Sequence, residues 1–154
     1  MTAKQNDAIA MLTQDHREAA ELFKQFEELG DGKGAAKKKQ AIVEQVCTAL
    51  TLHTMLEEEI FYPAVRDEVT EAEDLLDEAQ VEHASAKDLI AQLQEMEPGD
   101  ELYDAKVKVL GEQVQHHVKE EEKEMFPKVK KSGLDLEALG EEMRARREEI
   151  SATL

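Results

Sequence analysis

Two segments of the chain repeat one short pattern of chemically capable residues. His53-Thr54-Met55-Leu56-Glu57-Glu58 and His117-Val118-Lys119-Glu120-Glu121-Glu122 each place an imidazole four residues before a carboxylate. On a helix that spacing puts both side chains on one face, about 6 Å apart along the axis. Two further histidines, His16 and His83, stand alone, one ahead of each pattern. Imidazole with carboxylate and without thiolate suits iron, manganese or zinc rather than copper(I) or an iron–sulfur cluster. Four histidines and two glutamates exceed what one tetrahedral zinc requires. One ligand set from each half of the chain points to two metal ions bridged by Glu57 and Glu121.

Each of these residues lies on an apolar stripe. Ile9, Leu12, His16, Ala19, Phe23 and Phe26 form one stripe; Val43, Val46, Leu50, His53 and Glu57 form a second. Leu76, Ala79, His83, Ala86, Ile90 and Leu93 form a third, and Tyr103, Val107, Leu110, Val114, His117 and Glu121 a fourth. Steps of three and four keep each set on one buried face of a helix. A shift of 67 residues lays the first stripe on the third, and a shift of 64 lays His53-Glu57-Glu58-Pro63 on His117-Glu121-Glu122-Pro127. A single histidine on an apolar face is ordinarily a satisfied core residue, and a run of glutamates is ordinarily a solvated face. The repeat separates these cases. Of each glutamate run only Glu57 and Glu121 sit in the stripe, and His116 falls beside it. Two buried carboxylates facing each other persist only if protonated, hydrogen-bonded or neutralised by a cation.

Chain breakers set the elements that carry the stripes. Gly30-Asp31-Gly32-Lys33-Gly34 reads as a loop, Glu97-Pro98-Gly99-Asp100 as a turn with Asp100 as N-cap, and Lys131-Ser132-Gly133 as a helix end. Pro63 bends or ends the second helix, and Thr70 can cap the next. Helices are expected near 4–29, 36–66, 70–97 and 100–130, with a shorter one near 134–150 that packs on the outside or frays. The expected fold is all-α: an antiparallel up-down-up-down four-helix bundle with a short C-terminal extra helix, in a single domain over 1–154.

Composition agrees. Charged residues make up 36% of the chain and aromatics 4%, which favours helices with solvated outer faces over an aromatic core. A net charge of -17 argues against nucleic acid or an anionic membrane as partner. No apolar run approaches the roughly 18 residues of a membrane span. Residues 1–10 lack the basic-then-apolar order of a signal peptide. A cytoplasmic protein is the expectation. The single cysteine, Cys47, forms no internal disulfide and reads as a core residue. The glycine loop at 30–34 lacks the features of a phosphate-binding loop. Tyr62 and Tyr103 can donate hydrogen bonds to ligands, with core packing the simpler reading for Tyr103.

Asp15-His16, His53-x-x-x-Glu57, Glu82-His83 and His117-x-x-x-Glu121 together resemble the haemerythrin-like, or HHE cation-binding, domain over about residues 8–130. The resemblance implies a four-helix bundle with a non-haem di-iron centre that binds dioxygen or a related small molecule. It implies that His16 and His53 ligate one iron and His83 and His117 the other. Glu57 and Glu121 would bridge the two, with an oxo or hydroxo group completing the bridge. The oxygen carriers of the family have a His-x-x-x-His pair on the third helix, whereas the residues four before and after His83 are Ala79 and Lys87. They also have Asp five residues after the fourth-helix histidine, whereas here Glu121 stands at four and Glu122 at five. One iron is then open to water or to another ligand, with Glu58, Glu82 and Glu122 as nearby candidates. An open position fits sensing, peroxide or nitric oxide chemistry, or iron handling better than reversible oxygen transport. The alternative function is iron binding, storage or sensing without turnover, read by a protein partner in trans. Ferritin-like bundles use Glu-x-x-His pairs instead, which this chain lacks at the site.

Overall fold

The computed structural model describes residues 7–153, and all its regular structure is helical. Helix α1 (Ala8–Glu28) is followed by α2 (Ala35–Leu56), which continues through a π-helical turn (Glu57–Phe61) into α3 (Tyr62–Glu68). A short 3-10 turn (Thr70–Ala72) leads into α4 (Glu73–Gln94). Helix α5 (Tyr103–Glu120) runs through a second π-helical turn (Glu121–Met125) into α6 (Phe126–Lys131), and α7 (Leu136–Thr153) ends the fold. Helix α1 packs against α2 and α5, and α4 packs against the same two. This closes the expected four-helix bundle. Helix α7 lies across α1 and α2 as a fifth member.

Local chemistry differs from expectation at several ends. Asp7 caps α1, its Oδ1 accepting from the Ala10 amide at 2.8 Å, while the expected start at residue 4 lies outside the described residues. Thr70 opens the 3-10 turn and makes no side-chain cap to it. Asp100 does not cap α5; its side chain accepts from the Glu97 amide within the turn, and Leu102 precedes the helix at φ 72°.

Pro63 neither ends the second helix nor breaks it. The Tyr62 and Phe126 amides bond to the carbonyls of Glu57 and Glu121, five residues back, as a π turn requires. A proline inside an α-helix clashes with the carbonyl four residues before it. Pro63 and Pro127 both follow directly on a widened turn, at the start of α3 and α6. The widening also explains burial. His53, Glu57, Phe61 and Val65 are all buried at steps of four, as are Glu121, Met125 and Val129 after His117. Repeated steps of four drift off one face of a 3.6-residue helix. A wider turn brings them back.

The buried apolar residues form two clusters, with the histidines and glutamates between them. One holds Leu12, Leu56, Phe61, Leu76, Met125 and the inner face of α7; the other holds Phe26, Val46, Leu50, Ile90, Tyr103 and Leu110. Helix α7 does not fray. Its Leu139, Met143 and Ile150 are buried in the first cluster. Met143→Ala should therefore cost about 2–5 kcal/mol in chemical denaturation. A loss below about 0.5 kcal/mol, the usual effect at an exposed site, would mean that α7 is not docked.

Candidate metal centre

All six residues singled out by the repeat meet in one layer of the bundle. His16 comes from α1, His53 from the last turn of α2, His83 from α4 and His117 from the last turn of α5. Glu57 and Glu121 each open a π turn. Both glutamates are essentially inaccessible, at 0% and 1% exposure. Ligand-capable atoms of His16, His53, Glu57 and Glu121 lie within 4.8 Å of one another, and so do those of Glu57, His83 and His117. His16 Nε2 is 3.1 Å from Glu121 Oε1, and His53 Nε2 is 3.3 Å from Glu57 Oε1. On the other side, His83 Nε2 is 3.0 Å from Glu57 Oε1, and His117 Nε2 is 3.1 Å from Glu121 Oε2. Paired rings meet edge to face, with centroids 5.0 Å apart for His16–His53 and 4.9 Å for His83–His117.

Every one of these histidines turns Nε2 inward because a carboxylate holds Nδ1. His53 Nδ1 lies 2.8 Å from Asp15, His16 Nδ1 2.7 Å from Glu122, His83 Nδ1 2.8 Å from Glu58 and His117 Nδ1 2.7 Å from Glu82. Such a bond fixes the tautomer with the proton on Nδ1 and leaves the Nε2 lone pair for a ligand. The acids obey the repeat: Asp15 and Glu82 precede the lone histidines, and Glu58 and Glu122 follow the buried glutamates. Glu58, Glu82 and Glu122 therefore face the outer nitrogens and not the inner cluster, where sequence reasoning had placed them as candidates for an open position. That reasoning also missed Asp15, although the acid-His dipeptide at 15–16 and 82–83 was a signal for it.

The inner atoms are under-satisfied. His16 Nε2, His53 Nε2, both Glu57 oxygens and Glu121 Oε1 are buried without a hydrogen bond. Buried polar atoms are seldom left so. Convergent, orphaned donors of this chemistry fit cations, and their grouping fits two.

The two sides differ in one aromatic pair. Tyr62 and Phe126 occupy equivalent places after the two π turns. The Tyr62 hydroxyl donates to Glu121 Oε2 and lies 3.2 Å from His117 Nε2 and 3.4 Å from His83 Nε2. Phe126 instead stacks on His16, 6.1 Å between centroids and 6° from parallel. Above the layer a cavity of about 130 Å³ is lined by His16, His53, His83 and His117 and walled by Ala19, Leu50, Ala86 and Val114. His116 is 67% exposed and pairs with Glu120 at the surface, outside the cluster.

The protein's own charges are strongly coupled. Burial favours neutral His53, but the charge of Glu57 and the bond to Asp15 outweigh it and push the imidazole up to about 10. Burial likewise opposes ionised Glu57, yet the His53 charge, with the other polar groups crowded around it, holds it well below the usual carboxylate range. Burial, then the charges of Glu57 and Glu121, push the Tyr62 phenol well above its ordinary value. Because His53 is raised in the folded state, its contribution is full below about 6.5 and is lost as pH rises through about 10. The chelator-treated protein should lose thermal stability across that window. His53→Gln should flatten this alkaline limb, and an unchanged limb in the variant would contradict the coupling.

Comparison with known proteins agrees with this geometry. Residues 7–129 match the family model of the Hemerythrin HHE cation binding domain. A solved Hemerythrin HHE cation binding domain-containing protein from Mycobacterium kansasii superposes with a TM-score of 0.77 at 25% identity, covering 96% of this chain and 88% of that one. A DNA nickase of Nostoc sp. strain PCC 7120 is 28% identical over 120 residues, 78% of this chain. The match takes in only 32% of that protein's length. The buried His/Glu layer, the helical bundle around it and the family match over most of the sequence identify the chain as a member of the Hemerythrin HHE cation-binding family.

Proposed function

We propose that the chain holds two iron ions and uses them to bind or react with a small molecule such as dioxygen, nitric oxide or peroxide. The observation that carries this reading is the set of orphaned Nε2 and carboxylate atoms beneath a cavity of about 130 Å³. His16 and His53 would hold one ion, His83 and His117 the other, with Glu57 and Glu121 shared. When bound, iron supplies Lewis acidity and one-electron redox chemistry. Imidazole and carboxylate also accept manganese or zinc, which can substitute.

The chain's own residues account for selectivity. The cavity, at about 130 Å³, suits a small molecule rather than a large organic substrate. Its apolar wall of Ala19, Leu50, Ala86 and Val114 keeps bulk water away from the inner nitrogens. Asp15, Glu58, Glu82 and Glu122 keep all four imidazoles aimed inward. Tyr62 presents a phenol oxygen to the His83/His117 side. Strand nicking does not follow from the partial likeness to the nickase. A net charge of -17 repels a phosphate backbone.

Protein produced with iron should contain two irons per chain by elemental analysis. It should show ferric charge-transfer absorption that changes on adding azide or peroxide. A folded protein that remains metal-free when iron is supplied would overturn the reading. Measurable consumption of peroxide or nitric oxide supports a reactive role, and iron uptake without it supports storage or sensing. Tyr62→Phe should keep both irons and shift the ferric absorption, because it removes the hydrogen bond to the shared Glu121. An unchanged visible spectrum would remove Tyr62 from the metal's surroundings.

A further inference from the structure

One contact to the metal layer comes from outside the bundle. Arg147 belongs to α7 (Leu136–Thr153), which lies beyond the matched family residues 7–129. Its guanidinium donates to Asp15 Oδ2 at 2.6 Å, and the same oxygen is 2.8 Å from His53 Nδ1. Asp15 is 13% exposed and Arg147 32%, so the chain Arg147–Asp15–His53 passes from the surface to the buried layer. Arg147 also lines the cavity above the histidines. The repeat places Glu82 where Asp15 stands, bonded to His117 at 2.7 Å. Behind Glu82 is the exposed imidazole of His116 at 3.6 Å, not a guanidinium.

A carboxylate behind a metal-bound histidine raises the basicity of that ligand. A guanidinium on the same carboxylate oxygen draws its charge away, and a guanidinium stays charged at any working pH. On the other side Lys87 holds Glu58 at 2.6 Å, but on Oε1 and not on the Oε2 that faces His83, and Lys87 is the more exposed cation, at 51% against 32% for Arg147. A more exposed charge is more fully screened, so His53 is a weaker donor than His83 or His117. The fixed positive charge also disfavours the more highly charged ferric state nearby. Both effects have the same sign. We propose that Arg147 is a positioning residue for the His16/His53 metal, acting through Asp15 and His53 to give that metal the higher reduction potential of the pair. This rests on the two-iron reading above.

Helix α7 supplies its own control. Arg146 pairs with Glu59 at 2.8 Å on the surface and touches neither Asp15 nor a histidine. The test is a spectroelectrochemical titration of the iron-loaded full chain, after elemental analysis of each variant. Wild type should show two separated one-electron steps. Arg147→Gln should move the higher step to more negative potential and leave the lower one in place. Arg147→Lys keeps the charge but loses the planar fork, so it should shift the same step by less. Arg146→Gln should shift neither. An Arg147→Gln protein that titrates as wild type, or an Arg146→Gln protein with the same shift, would overturn the proposal. If Arg147→Gln does not fold, the comparison of Arg147→Lys with Arg146→Gln decides, and equal behaviour of these two overturns it. A wild-type chain without iron would instead sink the two-iron reading, and elemental analysis detects that failure separately.

Discussion

Two buried carboxylates facing four imidazoles, in the layer where a helical bundle should be driest, are the constraint on which this molecule turns. Glu57 and Glu121 are shielded from water and lie between two apolar clusters. Isolated carboxylates there would cost several kcal/mol each. In the protein alone His53 and His117 offset that cost by holding protons; His53 is pushed up to about 10 and Glu57 well down. Cations would replace those protons, so metal uptake must release them. The same layer therefore links stability, pH and metal affinity.

The surrounding structure serves that layer in a repeated way. Each half contributes a lone histidine behind an acid, then a helix that widens at the buried glutamate. The π turns keep steps of four residues on one face and give the prolines room. The four outer carboxylates fix every ring from behind. Symmetry is then broken around the layer, at Tyr62 against Phe126, at the Arg147 contact to Asp15 and at the Lys87 contact to Glu58. Two positions equivalent in the repeat thereby have different surroundings.

Much of this was legible in the sequence. The stripes gave the helices, and the repeat singled out His16, His53, Glu57, His83, His117 and Glu121, all of which converge. The repeat worked because polar residues recurring on an apolar stripe have few structural explanations. Other features were hidden for physical reasons. Pro63 was read as a bend or an end because proline usually breaks a helix, and a π turn leaves no one-residue signature. Glu58, Glu82 and Glu122 looked like spare ligands because spacing gives proximity but not the ring nitrogen faced. Arg147 lies over a hundred residues from Asp15, and its role depends on where α7 docks, which periodicity does not specify.

The most direct measurement of the central claim is anomalous diffraction at the iron edge from crystals of the iron-loaded chain. The account predicts two peaks in the buried layer, one against Nε2 of His16 and His53 and one against Nε2 of His83 and His117, with Glu57 and Glu121 reaching both. A single peak, or density confined to the surface group of Glu82, His116 and Glu120, would contradict it.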